Sequence, residues 1–214
     1  MEQYKDICKL NELIGNKAND CTKFDNQFQL IIEELGEVQD AYHQINSDDA
    51  DEKINGIKNL RGEVCDLIVV TIGMAHILGM DVTTLQPTQE AKMLETETTK
   101  MMENLKSGVS THEKTGIEYL LGYVIYMANV YNLPLKDDLQ AVNVSNFSKF
   151  CTTVEEVSNA HVHFEKLGIE VETVCNDPKY MGFISTMDQK DINHKYYSMG
   201  KLLKPPHWIA AEIV

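Results

Sequence analysis

The chain has 214 residues and a formal net charge of −14, from 33 acidic and 19 basic side chains. A surface this acidic repels nucleic acids and anionic membranes, because affinity for both comes largely from lysine and arginine on phosphates. No apolar stretch reaches the roughly 20 residues of a membrane span, and residues 1–11 lack the basic-then-apolar order of a secretory signal. We therefore predict a cytoplasmic protein with one main domain, which binds neither nucleic acid nor membrane.

The cysteines agree with this location. There are five of them, an odd number, scattered along the chain without any C-x-x-C pair. Such a set indicates reduced thiols in the cytosol, and favours neither a disulfide framework nor a zinc site. They are Cys8, Cys21, Cys65, Cys151 and Cys175.

Helical periodicity dominates the first half of the chain. A short helix is predicted over residues 1–13, and a long one from position 21 or 23 to Gln44. A turn follows at 47–51, where Ser47 or Asp48 is suited to cap the next helix. That second long helix is predicted to run to Leu78, before a glycine.

Each long helix carries a pair of acids spaced three residues apart. The first has Glu34 and Glu37, with Glu33 beside them, and the second has Glu63 and Asp66. Residues three apart lie on one helix face, so antiparallel packing of the two helices would bring four carboxylates together. Carboxylates this close raise one another's pKa. Mg²⁺ relieves the repulsion, because it prefers oxygen ligands.

An exposed, solvated face is the alternative explanation, since glutamate is a good surface helix former. The flanking residues favour the metal site. Apolar runs precede the first pair at 28–32 and follow the second at 67–75, which is typical of buried helices. Acids in a buried helix need a partner or a metal. We therefore predict that Glu34, Glu37, Glu63 and Asp66 bind Mg²⁺, with Mn²⁺ as a substitute.

The middle of the chain contains a weak internal repeat. Residues 73–82 align with residues 126–135, so helices are predicted over 90–105 and 115–131 as echoes of the two long helices. The second copy lacks the acids, with Gly116 and Tyr119 in place of Glu63 and Asp66. Two helical hairpins in one chain can close a four-helix bundle.

The last third is predicted to change from helix to strand. Helices are predicted over 136–150 and from a Thr152 or Thr153 cap to Leu167. Strands follow over 169–174, 179–184 and 195–199. The fold class is therefore mainly α, an all-α helical bundle over residues 1–150 followed by a helix and a small β appendage over 151–214.

Three motifs together give the chain a resemblance to a known superfamily. They are E-E-x-x-E followed by E-x-x-D, the segment V-N-V-S-N-F-S-K-F at 142–150, and G-K-L-L-K-P-P at 200–206. In this order they resemble the all-α nucleoside triphosphate pyrophosphohydrolases. These include the MazG-like enzymes, the dimeric dUTPases, the dCTP pyrophosphatases and phosphoribosyl-ATP pyrophosphohydrolases; the second and third motifs are similar to those of phage and bacterial members.

The resemblance implies a reaction and a site. The expected enzyme cleaves a nucleoside triphosphate, in particular a deoxynucleotide, to the monophosphate and pyrophosphate. The four acids would hold the metal, and Glu33 would accept a proton from water or orient another group. The resemblance also implies a homodimer or homotetramer.

Polar residues outside the acidic pairs are candidates for substrate binding. Asn143, Asn146 and Lys149 follow one another at spacings of three, so a helix would place them on one face for base, sugar and phosphate contacts. Gln27 lies seven residues before Glu34 and could bond a base edge, or be an ordinary surface glutamine. Lys201 and Lys204 either reach a phosphate or keep the tail soluble.

Two other function classes stay open. One is a protein on the same scaffold that binds or sequesters nucleotides without cleaving them, and the other is a structural helical module. The intact set of four acids favours catalysis, because binding alone rarely needs so many. The sequence leaves the base preference open.

Overall fold

The computed structural model describes residues 2–86 and 114–213. The protein is mainly helical, with a small C-terminal β region, which confirms the predicted fold class. The described residues hold six α-helices: α1 (Glu2–Leu13), α2 (Phe24–Ile45), α3 (Ala50–Ile77), α4 (Lys114–Val130), α5 (Leu135–Phe147) and α6 (Val154–Leu167). Four strands follow: β1 (Val171–Asp177), β2 (Tyr180–Ser185), β3 (Gln189–Lys190) and β4 (Tyr196–Tyr197).

These residues divide into two compact units. The first comprises residues 2–8, 17–86, 114–142 and 212–213, and the second comprises 9–16 and 143–211. Within the described residues, no helix combines the length and the apolar character that crossing a bilayer requires.

The first unit is organised around the hairpin of α2 and α3. Asp49 caps the start of α3, and its carboxylate accepts the backbone N–H groups of Asp51 and Glu52. The cap therefore lies one residue beyond Asp48 and two beyond Ser47, the two predicted positions. The two helices approach closely at Gly56, where a Cβ would lie 2.7 Å from the backbone nitrogen of Ile45. A side chain at this position would push the hairpin apart.

Helix α3 is the core helix of the first unit. Its second half is buried almost continuously from Val64 onward, as the apolar run predicted. Helix α4 packs against α3 and supplies buried residues such as Leu120 and Val124. The predicted helix over 115–131 is therefore confirmed, whereas the one over 90–105 lies outside the described residues.

The second unit contains α6 and two small antiparallel sheets. Thr153 and Glu156 form a capping box at the start of α6, and Gly168 follows the last helical residue with a φ of 71°; a cap at Thr153 and an end at Leu167 were predicted from the sequence. β1 pairs with β2, and β3 pairs with β4; β3 is a short strand that periodicity had not predicted. The core of this region consists of Cys151, Ala160, Phe164, Ile169, Phe183 and Leu203.

Helix α5 ends earlier than predicted. It was expected to continue to residue 150, but it ends at Phe147. Lys149 therefore lies in the turn that follows, and not on a helical face with Asn143 and Asn146.

Candidate metal centre

The hairpin of α2 and α3 brings three of the four predicted metal ligands together. Glu34 and Glu37 project from α2 and Glu63 from α3, and one carboxylate oxygen from each lies within 4.8 Å of the other two. Glu34 and Glu63 are half-buried, and Glu37 is exposed. The spacing of three residues on each helix thus has the predicted consequence that carboxylates from both helices share one volume.

Asp66 belongs to the same electrostatic environment. It lies one helical turn beyond Glu63, and its charge is the strongest of the carboxylate charges that raise the pKa of Glu34. It also raises the pKa of Glu63. The three clustered glutamates and Asp66 are named the acidic cluster below.

The pKa values of Glu34 and Glu63 show that the carboxylates of this cluster repel one another. Burial, and then the charges of Asp66, Glu37, Glu63 and Glu33, raise the pKa of Glu34 from 4.5 to about 8. Burial, a hydrogen bond with Glu37, and the charges of Glu37 and Asp66 raise the pKa of Glu63 to about 7. Negative charge at these two positions is thus unfavourable in the protein by itself.

Ion pairs do not balance the charge of the clustered glutamates within residues 2–86 and 114–213, where no lysine or arginine pairs with Glu34, Glu37 or Glu63. The donor set consists only of carboxylate oxygens, which hard divalent cations such as Mg²⁺ prefer. The residues present therefore fit such an ion.

Glu33 and Gln27 lie on different sides of α2 from one another. Glu33 is exposed and accepts a hydrogen bond from Gln29 at 3.3 Å. The side chain of Gln27 is buried and donates from Nε2 to the backbone carbonyl of Val70 on α3, at 2.7 Å. Gln27 therefore joins the two helices of the hairpin, and its contact with a base stays a prediction.

The residues predicted to bind substrate in the last third belong to the second unit. Asn143 and Asn146 are buried, at 2% and 9% exposure. Lys149 donates a hydrogen bond to the side-chain oxygen of Asn146 at 2.6 Å, so the two residues form one polar group despite the early end of α5. Their role in substrate binding stays a prediction.

The two tail lysines differ in their surroundings. Lys204 places its ammonium 3.8 Å from the centre of the Trp208 ring, a cation–π contact. Lys201 is exposed, and its backbone carbonyl accepts a bond from Ser185. Their predicted contact with phosphate stays a prediction too.

Sequence reasoning missed the partner of Arg61. This residue is the only arginine in the chain, and its position on α3, facing away from Glu63, predicts a surface or interface ion pair. It instead forms a partly buried pair with Asp138 of α5, inside the first unit. A single arginine two residues before an acidic motif indicates an ion pair, but no local pattern identifies its partner 77 positions away.

Comparisons with known proteins found no match to this chain among protein-family models, curated proteins or solved structures. The resemblance to the all-α pyrophosphohydrolases therefore depends on the three motifs named above. The geometry of the acidic cluster is a separate observation, and it does not depend on the resemblance.

Proposed function

We propose that the protein is a Mg²⁺-dependent nucleoside triphosphate pyrophosphohydrolase of the all-α superfamily. Its substrate would be a nucleoside triphosphate, in particular a deoxynucleotide, and its products the monophosphate and pyrophosphate. A cytoplasmic location and a homodimer or homotetramer belong to the same proposal.

One observation carries the proposal. Three glutamates from two helices place carboxylate oxygens within 4.8 Å of one another, without an ion pair to any lysine or arginine in the described part of the chain. A folded protein tolerates such repulsion when a ligand relieves it. A divalent cation would bind both the carboxylates of this acidic protein and the phosphates of the nucleotide.

The acidic residues would have two different roles, metal binding and proton acceptance. Glu34, Glu37, Glu63 and Asp66 would hold the metal, which when bound neutralises phosphate charge and lowers the pKa of a coordinated water. Glu33 would accept a proton from the attacking water, because it is exposed beside Glu34. The water oxygen would bond to the α-phosphorus, and the bond from that phosphorus to the bridging oxygen would break, releasing pyrophosphate.

An activity panel tests the proposal. The protein is incubated with each canonical and several modified dNTPs and the ribonucleotides, with Mg²⁺ or Mn²⁺, and pyrophosphate is measured. We expect pyrophosphate and monophosphate in equal amounts, and none after chelation of the metal. Metal-dependent nucleotide binding without any product would favour the sequestering alternative, and neither binding nor product would refute both.

A further inference from the structure

Arg61 and Asp138 form a forked ion pair between α3 and α5. Arg61 donates from Nε to Oδ2 of Asp138 at 2.8 Å and from Nη2 to Oδ1 at 2.6 Å. The two side chains are only 15% and 5% exposed. Two parallel bonds fix the orientation of the guanidinium as well as its distance, which the single ammonium of a lysine does not.

The pair lies on the side of α3 that faces away from the acidic cluster. At 3.6 residues per turn, Arg61 is about 200° from Glu63 and about 140° from Asp66 around the helix. On α3, two turns beyond Glu63, the carbonyl of Val70 accepts the buried amide of Gln27 from α2. Helix α3 is thus tied to α2 at one level and to α5 at another.

We propose that Arg61 and Asp138 are positioning residues that set the rotation of α3 about its axis, and so aim Glu63 and Asp66 at Glu34. This inference rests on the proposed function. The side chains of a helix reach about 5–6 Å from its axis, so a rotation of 20° would move a carboxylate at the rim by about 2 Å. Displacements of about 1 Å already cost about 100-fold in catalysis.

Asp138 is a strong partner of Arg61, because its hydrogen bond and charge raise the pKa of the guanidinium. Arg61 does not figure among the groups that shift the pKa of Glu34 or Glu63. The pair therefore acts on the acidic cluster through the backbone of α3.

Three variants separate positioning from stability. Arg61→Met with Asp138→Leu replaces the ion pair by apolar groups, a change that in buried pairs is often neutral or stabilising. Arg61→Lys keeps the charge but removes the fork. Leu60→Ala is the matched control, because it removes a fully buried side chain next to Arg61 on α3 and leaves the pair intact.

Three measurements are made on each variant. Calorimetric titration gives the affinity for Mg²⁺ alone, and thermal melting gives stability. In the metal-free protein, NMR measures hydrogen exchange of the Gln27 side-chain amide, which reports whether α3 keeps its place beside α2.

We expect the double variant to melt at or above the wild-type temperature, yet to bind Mg²⁺ about 10- to 100-fold more weakly, the usual cost of losing a group that orients metal ligands. Arg61→Lys should also weaken Mg²⁺ binding, and in both variants the Gln27 amide should exchange faster. Leu60→Ala should melt lower and keep wild-type affinity. If the double variant fails to fold, Arg61→Lys and Leu60→Ala make the same comparison.

Wild-type Mg²⁺ affinity in the folded Arg61 variants would overturn the inference, and so would an equal loss of affinity in Leu60→Ala. A wild-type protein that binds no Mg²⁺ would refute the proposed function instead. Hydrogen exchange of the Gln27 amide would then test the positioning of α3 by itself. Faster exchange in the Arg61 variants, but not in Leu60→Ala, would support the positioning role of Arg61. Unchanged exchange in the Arg61 variants would refute that role.

Discussion

The acidic cluster of the first unit and several carboxylates of the second unit differ in how their negative charge is balanced. In the second unit, Asp177 accepts hydrogen bonds from the backbone of Lys179 and from the side chain of Lys9, which lower its pKa. Glu156 accepts the backbone N–H groups of Thr152 and Thr153, with the same effect. In the first unit, burial and mutual repulsion raise the pKa of Glu34 and Glu63.

Asp191 makes the contrast sharper, because burial alone does not explain it. Burial would raise its pKa, as it does for Glu34, but the backbone amides of Lys195 and Asn193 and the hydroxyl of Tyr197 lower it overall. The second unit therefore satisfies a buried carboxylate with its own donors. For Glu34, Glu37 and Glu63, the described part of the chain offers no ion pair with lysine or arginine, and we propose that a bound cation takes that place.

The largest expected effect follows from removing one predicted metal ligand. We expect Glu37→Gln to lower pyrophosphate release at least about 100-fold, since even groups that only support a ligand can cost this much. Steady-state kinetics with the best substrate of the panel measures it. Asp40→Asn is the matched control, an exposed acid one turn further along α2, and it should retain full activity. Equal losses in both variants would contradict the assignment.

The next effect is stabilisation by the metal itself. A ligand present at 100 times its Kd adds about 2.7 kcal/mol to the free energy of unfolding, which corresponds to a Tm increase of about 5–10 °C for a chain of this size. Differential scanning fluorimetry with Mg²⁺ measures the increase. In Glu34→Gln it should largely disappear; an undiminished shift there would place the metal elsewhere.

A smaller effect concerns the pH dependence of the metal-free protein. The pKa of Glu34 is about 8 in the folded protein, against an ordinary value of 4.5, so between these values the folded state holds more protons than the unfolded state. Stability should therefore fall as pH rises from about 5 to 8. Glu34→Gln should stabilise the metal-free protein at pH 8 by on the order of 2 kcal/mol.

Denaturant unfolding at pH 5 and pH 8 checks this prediction. Mg²⁺ should reverse the loss at pH 8 in the wild type, because the cation takes the place of the proton. A wild-type stability that increases steadily over this range would show that Glu34 ionises without cost.

The smallest effect is expected in the second unit. Thr153→Ala removes the side-chain half of the capping box of α6, which should cost about 1 kcal/mol in unfolding free energy. The Tm increase on adding Mg²⁺ should stay the same, because Glu156, Asp177 and Asp191 of this unit already have donors within the protein. Loss of the Mg²⁺-induced Tm increase in this variant would contradict the claim that this increase depends on the acidic cluster.

The sequence predicted what depends on local spacing. Acids three residues apart on two apolar helices were enough to place Glu34, Glu37 and Glu63 together. The cap at Thr153 and the glycine at 168 likewise predicted both ends of α6, since each uses contacts within one helical turn.

Contacts between distant positions could not be predicted in this way. The partner of Arg61 and the buried bond of Gln27 depend on how helices pack, which the spacing of residues does not encode. Helix α5 ended before Lys149, although the spacing of the asparagines suggested that it would continue. The bond from Lys149 to Asn146 nevertheless spans the end of the helix.

The central claim is that a divalent cation binds between α2 and α3. The most direct test is a crystal of the full-length protein grown with Mn²⁺, in which anomalous scattering locates the metal. We predict a peak bonded to carboxylate oxygens of Glu34, Glu37, Glu63 and Asp66. A fully formed hairpin without a peak at these residues, at saturating Mn²⁺, would contradict the account.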